Sequence, residues 1–574
     1  MHPRSDFGAR WSADGSKLGF LSNRNNGDTD VWFAWLKKED WEKTKRDWEE
    51  EEARKEEEKN AKDSTDAPVN VEVDLEDIHE RLQQVTRLPG NEHNLAIARD
   101  GETFYFSTNG GGWTGGDGKN GFFSIQWDGE ELEPILDDER MSALHWDKNH
   151  KKLFFRKRGG KLSLLDLEKK KVEAMPFEAA MEVDHRAERQ QIFDDAWRAL
   201  RDGFYDPQFH GQDWDSLRAQ YEPWCLAAST SQDFRDLFNA MLGQLDASHM
   251  GMYGPDPEET QKHQTGLLGV EGISEQGGFR ISRVLPESPA ERTESRLREG
   301  DLLTAVNGQP LSPSTNLYAL LKGQAEERTL LDVVDAAGEP REVVIRPVSS
   351  LRSERYEAWV DERKTLCEQY SGGRLGYIHI QGMNWPSFER FERELTASGQ
   401  GKEGIIIDVR YNGGGWTTDM LMTVLNVRQH AYTIPRGAAD NLSKEHPRFR
   451  NHYPFGERLP LSAWTKPSIA LCNANSYSNA EIFSHAYKTL GHGTLVGQPT
   501  FGAVISTGSH SLLDGSRVRM PFRAWYVKAT GKNMEHGPAV PDILVENPPG
   551  SKGRGEDPQL RRAVETLLQQ LGEE

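Results

Sequence analysis

The chain has 574 residues, which is too many for one hydrophobic core, so its length indicates several domains. Its formal net charge of −21 argues against non-specific binding to nucleic acid, because contact with a phosphate backbone requires clustered lysine and arginine. Three cysteines far apart in sequence exclude a disulfide framework and favour a reducing, cytoplasmic compartment. No apolar run approaches the roughly 20 residues of a membrane span, and the first residues lack the pattern of a secretory signal.

Residues 1–178 repeat a strand, turn and strand pattern in RWSADGSKLGFLS, IARDGETFYFSTN and LHWDKNHKKLFFRK, with turns at Asp14, Asp100 and Asp147. The second interval between these aspartates has the length of one propeller blade. The first is about twice as long, which fits two blades or one blade with the charged insertion at about 37–63. Because about four blades are needed to close a ring, we expect a truncated propeller from a longer natural protein.

Residues 179–262 are predicted to form a helical domain, because apolar residues recur there at helical spacing. One stripe covers residues 193–204 and a second covers residues 234–245. Both stripes predict hydrophobic core rather than a cofactor site. Ser248 and His249 follow directly after the second stripe.

Residues 263–350 contain the segment TGLLGVEG and, further on, SPA at 288–290, GD at 300–301 and VNG at 306–308. In this order and spacing the motifs resemble a PDZ domain. The resemblance implies that the GLLGV loop presents amides to a peptide C-terminus, while a strand edge adds the peptide as a further strand. The alternative is a PDZ fold that serves only as a spacer.

Residues 351–574 predict an α/β domain, since the apolar strands RLGYIHI, GIIIDVR, SIALC and GTLVG alternate with helices. Ser478 lies where SIALC gives way to a helix. The letters SNAE at 478–481 fit a capping box, in which serine and glutamate satisfy the first helical amides. The other interpretation is a nucleophile at a helix N-terminus, where partial positive charge stabilises an oxyanion.

Acyl transfer needs a base, an orienting group and oxyanion donors beside its nucleophile, and candidates for each lie far from Ser478 in sequence. The strand GIIIDVR leads into NGGG at 412–415. Because glycine has no side chain to block its backbone N–H, this segment suits either an oxyanion hole or a tight strand-to-helix turn. His249 is the best-placed base, although a lone histidine is more often structural. Glu535 lies in the loop GKNMEHGPAVPDILV and carries no signal by itself.

Together, these segments resemble the tricorn protease family of serine peptidases from about residue 180 to residue 548. The family has a multidomain fold, here expected as a partial β-propeller, a helical domain, a PDZ-like β domain and an α/β catalytic domain of the tricorn and C-terminal processing peptidase type. Its motifs match SH at 248–249, the serine of SNAE, the glycine-rich segment 412–415, and Glu535 before a G-x-x-x-P-D sequence.

The resemblance implies a Ser-His-Ser-Glu tetrad and a serine endopeptidase that hydrolyses short or unfolded peptides. His249 would take the proton of Ser478, Ser248 would contact the far side of the imidazole, and Glu535 would contact Ser248. No metal or organic cofactor is implied. The family forms hexamers, so peptides and further copies of this chain are the expected partners, without nucleic acid or membrane.

The resemblance further implies that the amide of Asn479 and that of Gly414 or Gly415 hold the oxyanion. Gly413 and Thr433 are the expected substrate contacts. The tricorn prototype uses an acid to bind basic side chains before the cut, but no acid stands at the comparable place near Thr433. An apolar preference is therefore as well supported as a basic one.

Two alternatives compete with this interpretation. The related C-terminal processing peptidases use a Ser–Lys dyad, but the lysine position of that motif is Ala503 here, so the dyad lacks its base. The alternative from another class is a non-catalytic scaffold, in which the PDZ and propeller segments bind peptides or partners. The intact chemistry at all four tetrad positions argues against the scaffold.

Overall fold

The computed structural model describes residues 5–24, 28–43, 46–48, 71–88, 90–108, 121–137, 141–157, 160–255, 263–429, 431–434, 436–450 and 462–573. They form two compact units, Met1–Glu182 and Val183–Glu574, each with hydrophobic cores of its own. Most of the charged insertion at about 37–63 lies outside the described residues. The boundaries assigned to the four sequence segments stay predictions.

The described residues of the first unit form three antiparallel sheets of four strands, in each of which neighbours in sequence are neighbours in space. The turns at Asp14, Asp100 and Asp147 form as expected, because each carboxylate accepts a main-chain N–H that follows it, at 3.2, 3.0 and 2.7 Å. The elements are β1 Asp6–Trp11, β2 Lys17–Ser22, β3 Asp30–Trp35, α1 Lys38–Glu42, β4 Leu82–Gln84, β5 Glu92–Ile97, β6 Thr103–Thr108, β7 Gly121–Gln126, β8 Glu133–Asp137, β9 Ser142–Trp146, β10 Lys152–Arg156, β11 Leu162–Asp166 and β12 Lys171–Ala174.

Three helices open the second unit, the first and third of which carry the two predicted apolar stripes, and a short strand follows them. They are α2 His185–Gly203, α3 Trp214–Ala227 and α4 Ser231–Gly243, with β13 at Gly251–Tyr253. An aspartate or threonine side chain caps the start of each helix. The two stripes share one core, where Phe193 and Phe238 pack edge to face at a ring-centroid distance of 5.4 Å. This core fixes the end of α4, which leads into Ser248.

The next segment forms an antiparallel sheet around its own core. Its strands run in the order β14, β15, β16, β18, β19, and β17 pairs with β16. The elements are β14 Val270–Glu275, β15 Gly278–Val284, β16 Leu302–Val306, β17 Gln309–Pro310, α5 Leu317–Leu320, β18 Thr329–Val334 and β19 Pro340–Ile345.

The last segment is built on a parallel sheet with strand order β20, β21, β22, β23, β26, which confirms the four predicted apolar strands. Those strands are almost wholly buried because helices cover both faces of the sheet. The elements are α6 Arg352–Ser371, β20 Leu375–His379, α7 Trp385–Ala397, β21 Gly404–Asp408, α8 Thr418–Leu425, α9 Leu442–Glu445, β22 Ser468–Cys472, α10 Asn479–Thr489, β23 Leu495–Gly497, β24 Ile505–Ser511, β25 Arg517–Ala524, β26 Ile543–Leu544 and α11 Pro558–Glu573. Short 3₁₀ turns occur at Ile78–Glu80, Phe209–Gly211, Thr293–Ser295, His446–Phe449 and Lys552–Arg554.

A small antiparallel sheet joins the helical segment to the last segment. β13 pairs with β25, and β25 pairs with β24. Because β13 begins two residues after His249, this pairing brings the histidine to the part of the chain that carries Glu535.

A buried ion network fixes the start of the glycine-rich segment. The guanidinium of Arg410 lies at the end of β21 and hydrogen-bonds both Asp408 and Asp557, with shortest distances of 2.6 and 2.9 Å. All three side chains are at most 2% exposed. The network therefore ties the segment after β21 to the start of α11. Within the described part of the chain, no helix is long and apolar enough to cross a membrane.

Candidate active site

Ser478 occupies a sharp turn between β22 and α10. Its backbone angles are φ 56° and ψ −119°, a combination that residues other than glycine rarely adopt. An ordinary N-cap residue keeps extended angles, so capping alone does not account for this strain. A strained serine between a parallel strand and a helix is the geometry of a nucleophile elbow, which exposes the serine Oγ.

The predicted cap is present as well, and Glu481 carries it. The Glu481 carboxylate accepts the N–H of Ser478 at 3.0 Å. The amide of Glu481 faces the serine side chain, and it hydrogen-bonds the main-chain carbonyl of Ser478 at 2.9 Å. Since main-chain and carboxylate contacts hold this turn, the cap and the nucleophile interpretations are compatible.

The buried carboxylate of Glu481 also organises the loop before β24. It accepts the Thr500 hydroxyl at 2.7 Å and the amides of Gly502 and Ala503 at 2.5 and 2.8 Å. Burial raises the pKa of Glu481 above its ordinary value, although these donors oppose the shift. Ala503, at the lysine position of the processing peptidases, is buried and offers a methyl group rather than a base.

A hydrogen-bond chain links Glu535, Ser248 and His249. Ser248 donates its N–H to Glu535 Oε1 at 2.7 Å and its hydroxyl to Glu535 Oε2 at 3.0 Å. Ser248 Oγ lies 2.7 Å from His249 Nδ1. Because the hydroxyl proton goes to the carboxylate, Ser248 Oγ accepts from Nδ1–H. Nε2 is then left without a proton and can take one.

The surroundings of His249 favour its neutral form. The residue is only 9% exposed, and burial lowers its pKa from 6.5 to about 4, with the charge of Arg519 as the smaller cause. A neutral imidazole at physiological pH is the state that a general base requires.

Tyr477 joins the imidazole to the turn that carries Ser478. Its hydroxyl lies 3.0 Å from His249 Nδ1, and the two rings stack with a centroid distance of 4.6 Å. Since Tyr477 precedes Ser478 directly, this side-chain contact links His249 to the segment that carries the candidate nucleophile. Sequence reasoning missed Tyr477, whose only signal was its place next to the candidate serine.

The glycine-rich segment lies directly against Ser478. A Cβ added to Gly414, whose φ is +87°, would come within 2.6 Å of the serine Cβ, so no side chain fits there. The Gly414 amide already donates to Asn412 Oδ1 at 2.9 Å. Among the described residues, the amides of Gly415 and Asn479 make no hydrogen bond, so they are better candidates than Gly414 for the predicted oxyanion donors.

The predicted substrate contacts lie on the protein surface. Gly413 is exposed, with open space where a Cβ would stand, and Thr433 is exposed in the segment 431–434. Their contact with substrate stays a prediction. In the part of the chain that the structure describes, no cluster of histidine, cysteine, aspartate or glutamate side chains suits a metal ion.

Three family models match successive parts of the chain. The tricorn protease C1 domain matches residues 185–243, the PDZ domain residues 280–335, and peptidase family S41 residues 374–545. Tricorn protease homolog 1 of Streptomyces coelicolor is 32% identical over 402 residues, which are 68% of this chain and 36% of that protein. The chain belongs to the tricorn protease family.

Other tricorn relatives agree with this assignment. The tricorn protease of Thermoplasma volcanium is 26% identical over 431 residues, which cover 73% of this chain and 40% of that protein. A crystal structure of the tricorn protease shares the fold with a TM-score of 0.78 at 20% identity, covering 100% of this chain and 55% of that one. This chain thus spans less than half the length of the Streptomyces and Thermoplasma relatives.

The C-terminal processing peptidases are also related. The chloroplastic enzyme of Tetradesmus obliquus is 27% identical over 392 residues, which cover 64% of this chain and 80% of that protein. This similarity agrees with the match of residues 374–545 to the model of peptidase family S41.

Proposed function

We propose that this tricorn family member is a serine endopeptidase that hydrolyses short or unfolded peptides through the tetrad Ser478, His249, Ser248 and Glu535. The observation that carries the proposal is the hydrogen-bond chain from Glu535 through Ser248 to His249, which joins residues 287 positions apart. Such a chain has one evident chemical use, to hold a neutral imidazole in the tautomer of a general base.

In the proposed reaction, Ser478 Oγ attacks the carbonyl carbon of the scissile bond while His249 Nε2 takes the hydroxyl proton. The C–N bond then breaks as His249 gives that proton to the leaving amine, and an acyl-enzyme remains. Water attacks the ester with the same base, releasing the new carboxyl terminus and restoring Ser478. The Nδ1–H bond to Ser248 persists throughout, and Glu535 stabilises the positive charge that develops on His249.

The amides of Gly415 and Asn479 are the proposed donors to the oxyanion. Asn479 is the first residue of α10, where the helix dipole adds positive potential. Each donor of this kind is worth on the order of 10²–10³ in rate. Gly413 and Thr433 are proposed to contact the substrate.

The wider assignments belong to the same proposal. The three sheets of the first unit are proposed to be propeller blades, because each has the four antiparallel strands of a blade. The segment matched by the PDZ model is proposed to bind peptide C-termini. Assembly as a homo-oligomer, hexameric by family resemblance, and a cytoplasmic location complete the proposal.

Labelling with a fluorophosphonate probe, followed by peptide mapping, tests the proposed function. Wild type and the control His510→Ala, which changes an exposed histidine, are expected to be labelled at Ser478. Ser478→Ala and His249→Ala are expected to lose the label, because each removes one half of the nucleophile–base pair. The same four proteins are assayed for cleavage of a mixed peptide library.

A folded wild-type protein that takes no label and cleaves no peptide would contradict the proposal. Ser478 would then act as a helix cap, and Ser478→Ala would cost about 1 kcal/mol of stability without further effect. The function assigned to the chain would then be peptide binding by the PDZ segment, without cleavage.

A further inference from the structure

Tyr477 contacts His249 in two ways that the tetrad does not explain. Its hydroxyl lies 3.0 Å from Nδ1, and its ring stacks on the imidazole at 4.6 Å with an angle of 20° between the planes. On Tyr477 itself, Phe501 packs edge to face at 5.0 Å. The tyrosine ring is thus held between the imidazole and a second aromatic ring.

The hydrogen bonds around Nδ1 give the tyrosine hydroxyl a specific place. Nδ1 has one proton to donate, and two hydroxyl oxygens lie within reach, those of Ser248 and Tyr477. The proton of Ser248 is committed to Glu535, so Ser248 Oγ is an acceptor. The Tyr477 oxygen offers a second acceptor, which gains strength when His249 becomes a cation because hydrogen bonds to charged groups are the stronger ones.

The stacked ring of Tyr477 also fixes the orientation of the imidazole of His249. Stacking fixes the plane of the imidazole and therefore the direction of Nε2. One peptide bond joins Tyr477 to Ser478, so a movement of the elbow carries the imidazole with it. The other charged groups that face His249 are Glu535, through Ser248, and Arg519 on β25. Neither of these groups is attached to the elbow.

We propose that Tyr477 is a positioning residue for the reaction. Its ring holds His249 in register with Ser478, and its hydroxyl shares the Nδ1 hydrogen bond as positive charge develops on the imidazole. This inference rests on the proposed function, because it requires that His249 acts as the base.

Two variants separate the role of the Tyr477 ring from that of its hydroxyl, and a third variant is the control. Tyr477→Phe keeps the ring and removes the hydroxyl, and Tyr477→Leu removes both. Tyr370→Phe makes the same hydroxyl deletion on α6, at a tyrosine that packs against Arg561 of α11. For each protein, kcat, KM and the rate of fluorophosphonate labelling are measured against pH.

Tyr477→Phe is expected to lower kcat and the labelling rate roughly tenfold and to leave KM within about twofold, since the lost bond matters only when His249 is charged. Tyr477→Leu is expected to lose more activity. Its acid limb should move from near pH 4 towards pH 6.5, because water then reaches the imidazole. Tyr370→Phe should match wild type.

Two results would overturn the inference while leaving the peptidase proposal intact. One is a Tyr477→Phe variant with wild-type kcat and labelling at every pH, together with an unmoved acid limb in Tyr477→Leu. The other is a change in KM alone, which would make Tyr477 a substrate contact. A wild-type protein that is neither labelled nor active would overturn the proposed function, and the inference with it.

Discussion

At the scale of single residues, Glu535 accepts hydrogen bonds from both the backbone and the hydroxyl of Ser248, through which it would position the proposed base. Its Oε2 also accepts the amide of Val504 at 3.0 Å, so three donors converge on one carboxylate. A glutamine of the same shape would turn one of these acceptors into a donor and leave two donors facing each other.

We therefore expect Glu535→Gln to lower kcat roughly ten- to hundredfold with little change in KM, since a hydrogen bond to a charged group is lost. The matched control is Glu546→Gln, which changes an exposed glutamate and should retain wild-type kinetics. Steady-state kinetics on a cleaved peptide measure both. An unchanged kcat in Glu535→Gln would contradict the role given to the tetrad carboxylate.

The burial of His249 sets an expected pH profile. Its pKa of about 4 lies below the ordinary 6.5, so the acid limb of kcat/KM should lie near pH 4. The folded protein disfavours the proton, so the stability that this group contributes is complete above about pH 6.5 and is lost as pH falls towards 4. Measurement of kcat/KM from pH 3.5 to 8 tests this. An acid limb near 6.5 would mean that water reaches the imidazole.

At the scale of elements, Glu481 ties the start of α10 to the loop before β24 through four accepted hydrogen bonds. Ser478 contributes to the same turn with one small side chain. The helix start therefore depends on the glutamate much more than on the serine.

Glu481→Gln is expected to lower the free energy of unfolding by about 3 kcal/mol or more, because buried donors lose a charged acceptor. Ser478→Ala should cost only about 1 kcal/mol. Glu565→Gln, on the exposed side of α11, is the control and should stay within about 0.5 kcal/mol of wild type. Urea unfolding followed by tryptophan fluorescence compares them. Equal losses for Glu481→Gln and Glu565→Gln would exclude the glutamate as the anchor of this turn.

The elements themselves were predictable where their signal is local. Apolar runs predicted the parallel strands and periodic apolar stripes predicted helices, since each pattern reflects the burial of that segment alone. The pairing of β13 with β25 was not predictable, because register depends on a partner far away in sequence. For the same reason, the sequence did not predict the contact of Tyr477 with His249 or the contacts of Glu481 with the loop before β24. Family resemblance supplied the tetrad, whose members show no common local pattern.

At the scale of the whole molecule, every tetrad residue and the sheet that supports Ser478 lie within Val183–Glu574. That unit also contains the buried network around Arg410, which joins β21 to the last helix. The residues of the proposed chemistry thus all belong to one compact unit.

Residues 183–574, expressed alone, are therefore expected to fold and to be labelled by a fluorophosphonate at Ser478 at a rate within about threefold of the full chain, because no tetrad contact is removed. Circular dichroism establishes folding, and the same fragment with Ser478→Ala is the control. A folded fragment that takes no label would show that the first unit is needed to complete the site.

The wide separation of the proposed tetrad residues in sequence has a consequence during synthesis of the chain. His249 emerges from the ribosome long before Ser478, and the β25 partner of β13 emerges later still, just ahead of Glu535. A nascent chain therefore keeps the proposed base and nucleophile apart until the segment that holds β25 and Glu535 has been synthesised. The order of the sequence would therefore delay assembly of the proposed active site during translation.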